Sequence, residues 1–285
     1  MDENKETIRQ NVFLLHDGTE MEYLTFPLLE ETGIVKHLVT TRVGGVSKGI
    51  FSTMNLSFSR GDCGEAVWEN YERVARVLRC QVSDMVASHQ THTTNIRKVT
   101  MEDKGKGIPG ARKAEGENSF HDVDGMITNV PGIVLVTYYA DCVPLFFVDR
   151  VNQAIGLAHS GWRGTIGRMG EQMVKAMAAN FGSRPEELYV AIGPSICRDC
   201  YEVSEDVAVL FIEMLGSEVA VEGKAPGKYQ LDLWLSNKKI LQQAGVLPQH
   251  ISVTDICTCH NSNYLFSHRA SEGKRGNFGA FLTLR

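Results

Sequence analysis

Three apolar runs in close succession, Gly132 to Ala140, Val143 to Val148 and Ala154 to Ala158, constrain this chain more than any other feature. They are rich in β-branched and aromatic residues, the last to a lesser degree, and read as two or three buried strands. The breaks between them carry the chemistry. Asp141-Cys142 interrupts the first pair, and the third run leads into His159-Ser160-Gly161-Trp162-Arg163-Gly164. A cysteine and a histidine therefore stand at strand mouths, beside small residues and a charge. Beyond Gly161, apolar residues at Ile166, Met169, Met173 and Met177 predict a helix. Gly161 and Gly164 leave the start of that helix open to an anion such as phosphate.

Upstream, Ser88-His89-Gln90-Thr91-His92 supplies a further imidazole. With His92, Cys142 and His159 the chain can offer two imidazoles and one thiolate, the three-ligand set with which catalytic zinc keeps its fourth position for water or substrate. Packed core residues at strand ends are the competing reading, and spacing alone does not separate the two.

The motifs extend well beyond these strands. Thr40-Thr41-Arg42-Val43-Gly44-Gly45-Val46-Ser47, Asn55-Leu56-Ser57, Gln90-Thr91-His92, Asp124-Gly125-Met126-Ile127-Thr128 and Ala140-Asp141-Cys142-Val143-Pro144 are followed by the His159 to Gly164 run, Ile192-Gly193-Pro194-Ser195-Ile196, Tyr201-Glu202-Val203 and Phe266-Ser267-His268-Arg269. In this order they resemble the YfiH family, also called the laccase-domain or multicopper polyphenol oxidoreductase family and the peptidoglycan editing factor family. The resemblance runs from about residue 34 to the C-terminus. It implies zinc held by His92, Cys142 and His159, with copper an alternative metal at the same ligands, and leaves His89 as a surface or supporting residue. It also implies phosphorolysis of adenosine, inosine and methylthioadenosine, with deamination of adenosine as a companion activity. Two positions depart from the family pattern: Ala270 follows Arg269, and Asn277 follows Gly276, where arginines are usual. Lys274 and Arg275 are candidates to restore the charge from the same loop.

Other site residues follow from residue chemistry and family position together. Asp141, beside Cys142, is a candidate catalytic proton acceptor or metal-orienting carboxylate. Arg42 and Arg163, with glycines two or three residues away, have guanidinium groups free for bidentate phosphate contact, and Arg269 is a third candidate. Ser47, Asn55 and Ser160 are small polar groups at turns, of which the first two join the substrate and phosphate set. Trp162 is either a base-stacking ring or a packing residue.

Composition narrows the class. The 285 residues carry a formal net charge of −5, spread without a basic block, so nucleic-acid binding has no electrostatic footprint. The N-terminal residues lack the apolar core of a signal peptide and no run reaches membrane-spanning length, so a cytoplasmic protein without membrane contact is expected. Seven cysteines in such a chain suggest reduced thiols. Cys197-Arg198-Asp199-Cys200 and Cys257-Thr258-Cys259 are candidates for a second metal site, but Cys-x-Cys is an uncommon half of a zinc knuckle and both pairs abut apolar strands. The sequence does not favour one there.

Further strands are expected at Val12 to Leu15, Ile34 to Thr41, Asn95 to Val99, Leu188 to Ile192, Ile251 to Thr254 and Phe278 to Leu284. Helices are expected through Val67, Tyr71, Val74 and Leu78, from an N-capping Ser204 to Gly216, and from Leu233 to Ala244, ended by Gly245. Lys104 to Glu117 reads as an exposed loop. Several strands precede each helix, which argues for α+β with mixed sheets rather than alternating βαβ units, and the resemblance sharpens this to an αββα layered sandwich. Residues 1–33 are read as an N-terminal extension with short strands packed on a single catalytic domain, residues 34–285. Oligomeric state is not legible.

Three functions compete. The leading one is zinc-dependent phosphorolysis and hydrolysis of purine nucleosides, although the His-x-Glu and Pro-Cys-x-x-Cys signature of the usual nucleoside deaminases is missing. A cell-wall precursor amidase with Cys142 as nucleophile and His159 as base is the alternative. Polyphenol oxidation by copper fits less well, because nine histidines with no His-x-His pair do not furnish a trinuclear cluster. A non-catalytic binding protein is the remaining class.

Overall fold

The computed structural model describes residues 6–111 and 120–285. Two large sheets lie face to face and helices cover their outer faces, giving the αββα sandwich. The first sheet has the order β1 (Arg9–Leu14), β2 (Glu20–Thr25), β3 (Val35–Thr40), β16 (Phe278–Leu284), β8 (Val134–Tyr139), β4 (Met85–His89) and β6 (Phe120–His121). The second runs β15 (Ile251–Val253), β11 (Leu188–Ile192), β9 (Val143–Asp149), β10 (Ala154–Ser160), β7 (Gly125–Thr128) and β5 (Ile96–Lys98). Both are mixed: β4 lies parallel to β8 and β11 parallel to β15, whereas β16 pairs antiparallel with β3 and β8.

The layers follow from alternation along the strands. Leu135 and Leu282 of the first sheet meet Phe146, Val148, Ile155 and Leu157 of the second in the central core. The opposite face of the first sheet, with Val134, Val136 and Phe281, packs on Val67, Tyr71, Val74 and Leu78 of helix α2 (Gly64–Leu78), with α1 (Pro27–Glu30) a short preceding turn. The outer face of the second sheet packs Leu145, Phe147 and Ala158 against Met169, Met173 and Met177, together with residues of α5 (Glu205–Leu215) and α6 (Leu233–Gln243). A small third sheet, β12 (Glu202–Ser204), β14 (Lys228–Leu231) and β13 (Ala220–Glu222), completes the described fold and had no counterpart among the expected strands. No helix among the described residues is long and apolar enough to cross a membrane.

Several local expectations need correction. The single helix expected after Gly161 is broken into α3 (Trp162–Ile166) and α4 (Met169–Phe181). At the break Arg168 takes a left-handed φ of 59°, and a Cβ at Gly167 would come within 2.6 Å of Thr94 Cγ2. Ser204 does stand at the N-cap of α5, but its hydroxyl makes no capping bond. In α6 the cap is Asp232, which accepts from the Leu235 amide at 2.8 Å. The expected loop from Lys104 is only partly exposed, since Gly105 and Ile108 are buried and Ile108 packs on the α2 layer; residues 112–117 of that expectation lie outside the described residues.

Candidate metal centre

β8 and β9 are adjacent in sequence yet belong to opposite sheets, so the chain crosses between layers at Ala140-Asp141-Cys142. The crossing places Cys142 at the seam, next to the last turn of β10 that carries His159. His92 enters from the loop after β4. One ligand atom from each of the three residues lies within 4.8 Å of the others; His92 Nε2 is 3.9 Å from Cys142 Sγ, and the two imidazole centroids are 4.9 Å apart. Backbone strain marks the site: His92 has φ 67° and Asp141 has φ 90°, conformations that cost non-glycine residues energy and persist where surrounding bonds impose them.

Those bonds centre on Asp124, just before β7. Its fully buried carboxylate accepts from the backbone amides of Thr91, His92 and Thr93 at 3.0 Å each, from the Thr93 hydroxyl, and from His159 Nδ1 at 2.8 Å. It thus fixes the loop that carries one ligand and the ring of another. The bond at Nδ1 leaves His159 Nε2 for a metal, the carboxylate–histidine arrangement that orients ligating imidazoles. Burial opposes ionisation of Asp124, but the hydrogen bonds and charge of His159 and the amides of Thr93 and Thr91 outweigh it and hold the carboxyl at about 2. Burial likewise works against the Cys142 thiolate, yet His159 and His92 bring it down to about 6, while Cys142 and Asp124 raise His159 to about 9 despite its burial.

Gly161 completes the cradle. A Cβ there would lie 2.9 Å from Cys142 Sγ and 3.1 Å from His92 Cδ2. With an N-cap φ of −74° the backbone itself would accept any residue. Its glycine therefore serves the close approach of the ligands. Gly161→Ala should leave the thermal midpoint near that of the parent, because its φ suits alanine, but weaken metal binding about tenfold or more by displacing the ligands. A metal titration showing parental affinity would reject this role.

The triad opens onto a cavity of about 410 Å³ shared with Arg60, Arg275, Gln90, Tyr138, His89 and His121. Gln90 clamps the edge of β8, accepting from the Tyr138 amide at 2.8 Å and donating to its carbonyl at 3.0 Å. Arg275 is buried; its Nη1 donates to Asn277 Oδ1 at 2.6 Å, whereas its Nε has no partner among the described residues. Burial, and then the like charge of Arg60, lower its pKa to about 10. Two cationic groups share one wall.

The remaining expected site residues lie elsewhere. Arg42 donates to the Ser52 carbonyl at 2.8 Å and the Ser262 carbonyl at 2.7 Å and stacks on Phe266, outside the cavity. Ser47 is buried against Asn70, whose amide donates to its hydroxyl at 3.0 Å. Asn55 braces the cavity wall from behind, accepting from the amides of Ser57 and Asn277 and donating to Asp62. Arg163 is exposed and lies over the Trp162 ring, which itself packs on the helical core. Arg269 donates to the Cys200 and Glu202 carbonyls, so its guanidinium too is engaged with backbone. The Asp141 carboxylate accepts from the Thr258 hydroxyl at 2.6 Å and the Arg269 amide at 2.7 Å, which makes it a brace for the crossing turn. Ser160 is buried in a network with Thr165 and Asn237. Of the two cations offered in place of the missing arginines, Arg275 lines the cavity and Lys274 does not. Residue type and spacing do not single out Asp124 or Arg60: Asp124 is visible only as part of a motif, and the exposed loop holding Arg60 carries no signal of its destination.

Comparison with known proteins agrees with the architecture. Residues 36–285 match the family described as multi-copper polyphenol oxidoreductase laccase. Purine nucleoside phosphorylase YlmD of Bacillus subtilis is 37% identical over 248 residues, covering 86% of this chain and 87% of that protein. Adenosine deaminase RL5, from an unknown prokaryotic organism, is 30% identical, covering 88% and 94%. The crystal structure of YlmD from Geobacillus stearothermophilus superposes with a TM-score of 0.87 at 33% identity, covering 99% of this chain and all of that one.

Proposed function

This chain belongs to the multi-copper polyphenol oxidoreductase laccase family, and from that membership and the cavity we propose that it is a zinc-dependent purine nucleoside phosphorylase that also deaminates adenosine. The donor chemistry fits the metal: two imidazoles and a thiolate within reach of one ion, one imidazole oriented by a buried carboxylate, and an open cavity on the fourth side. Zinc held by His92, Cys142 and His159 would supply Lewis acidity to the reacting nucleoside or to water. Copper could occupy the same ligands.

The observation that carries the phosphorolytic reading is the Arg60–Arg275 wall. Two cations in one cavity, one of them buried with an Nε that has no partner among the described residues, are stabilised when an anion lies between them. A phosphate there would face a nucleoside bound over the triad. In phosphorolysis a phosphate oxygen bonds to the ribose C1′ as the bond to the purine nitrogen breaks; the base leaves with the electron pair and takes up a proton. The arginines hold the attacking phosphate and Asp124 keeps His159 in register. The phosphate role thus moves from Arg42, Arg163 and Arg269, whose groups lie outside the cavity, to Arg275 and Arg60.

Arg275→Gln should raise the KM for phosphate by about 10- to 100-fold, the loss of one charge-assisted pair of roughly 1.5–3 kcal/mol. Metal content and phosphate-independent deamination should persist. Steady-state phosphorolysis of inosine and adenosine over a phosphate series tests this, and an unaltered phosphate KM in both Arg275→Gln and Arg60→Gln would reject it.

One observation favours a second reading. Cys142 Sγ lies within 4.8 Å of a ring nitrogen of His159, the pairing a cysteine amidase uses, which would suit hydrolysis of a cell-wall precursor. Activity that survives complete metal removal would select it.

A further inference from the structure

We propose that Cys197, Cys200, Cys257 and His260 form a second, structural metal site that takes a zinc ion and lies apart from the three-ligand centre. One ligand atom from each of the four lies within 4.8 Å of the others. The sequence pairing that disfavoured such a site coupled Cys257 with Cys259; the fold instead couples it with His260. Both halves then have two-residue spacing, Cys-x-x-Cys and Cys-x-x-His, the arrangement of zinc knuckles.

The topology brings the halves together. β11 and β15 are parallel neighbours, so the segments leaving them emerge at the same end of the sheet. An isolated bridge joins Ser195 to Cys257, and the Thr258 amide donates to the Ser195 carbonyl at 3.1 Å. Cys257 is buried, and its sulfur accepts from the backbone amides of Cys197 at 3.3 Å and His260 at 3.5 Å. Amides directed at sulfur favour the thiolate that binds metal. Cys197 Sγ and His260 Nδ1 are 3.7 Å apart. Tetrahedral zinc with ordinary bond lengths of about 2.3 Å to sulfur and 2.0–2.1 Å to nitrogen separates its ligands by roughly 3.5–3.8 Å. The Cys197–His260 pair already has that spacing, and no ligand atom is more than 4.8 Å from another.

Chemistry assigns both the ion and its role. Three soft thiolates and one imidazole select zinc over harder divalent cations. Four protein ligands leave no position for substrate, in contrast to the centre at Cys142, so the ion staples two loops together. Those loops support the catalytic seam: Thr258 lies between Cys257 and His260 and holds the Asp141 carboxylate, while the Ile196 amide donates to the Asp141 carbonyl at 3.0 Å. Asp141 precedes Cys142. The site does not depend on the nucleoside reading.

The test uses the full chain carrying His92→Ala and Cys142→Ala, which removes the first centre and leaves the second intact. Purified from zinc-supplemented medium without chelator, it should retain one zinc per chain by elemental analysis. Reconstitution with cobalt(II) should give thiolate-to-metal charge-transfer absorption and the intense visible bands of a tetrahedral ion. Adding Cys197→Ser and Cys257→Ser should abolish both signals. In the double variant with native cysteines, Cys197, Cys200 and Cys257 should resist a thiol reagent until a strong chelator is added. Absence of zinc together with a featureless cobalt titration overturns the proposal, as does finding these cysteines linked by disulfides. Neither result requires the cysteine variants to fold.

Discussion

Cys142→Ala is expected to lower the metal content by one ion per chain and to abolish both phosphorolysis and deamination. Loss of an orienting partner outside the ligand set already costs about 10- to 100-fold in metal affinity or activity, so removal of one of only three protein ligands should exceed 100-fold. His159→Ala should behave in the same way and remove both reactions together, because both are assigned to one cavity. Elemental analysis and chromatographic detection of hypoxanthine, adenine and inosine decide the matter. An undiminished metal content in Cys142→Ala would reject the ligand assignment. Persistence of inosine formation in His159→Ala, with phosphorolysis gone, would require a separate deaminating site.

The second large effect is expected at Asp124, which does not line the cavity and is no ligand itself but bonds to two of the ligand residues. Asp124→Asn keeps the shape but reverses part of the hydrogen bonding. Oδ1 accepts from the His92 amide and His159 Nδ1, and Oδ2 from the amides of Thr91 and Thr93 and the Thr93 hydroxyl. Whichever oxygen becomes NH2, a donor faces donors, and a buried group left unsatisfied costs about 1–3 kcal/mol. Metal affinity should fall by about 10- to 100-fold, with kcat falling alongside it, and the thermal midpoint should drop. Because the folded-state pKa is depressed to about 2, the carboxylate's contribution is complete above the ordinary value of about 3.9 and is lost as the pH falls through about 2. The stability gap between parent and variant should therefore narrow in acid, and because the same carboxylate helps raise His159 to about 9 it should also decline as the pH rises from about 6.5 towards 9. A metal affinity equal to the parent's would remove Asp124 from the centre.

These effects show how far local sequence carries. β-branched runs, helical spacing and terminal glycines are decided by backbone sterics and solvent exposure within a few residues, so β8, β9, β10, α2 and α6 were readable. Marginal segments were not: β12 to β14 are short, and what makes them strands is pairing with one another. α3 and α4 are separated at Arg168, whose left-handed backbone no local spacing announced.

The sequence by itself determined the family, the layer architecture and the candidate ligands His92, Cys142 and His159, since ordered motifs and ligand chemistry are properties of the residues. Tertiary structure alone decided which polar groups serve them. Asp124 reaches His159 across 35 positions, Arg275 is turned into the cavity while Arg42 is spent on backbone carbonyls, and His260 rather than Cys259 joins the cysteine cluster. A hydrogen bond or coordination position is set within a few tenths of an ångström by the crossing of two sheets and by loops leaving parallel strands at one end. Distances of that kind are fixed only when the whole core is packed.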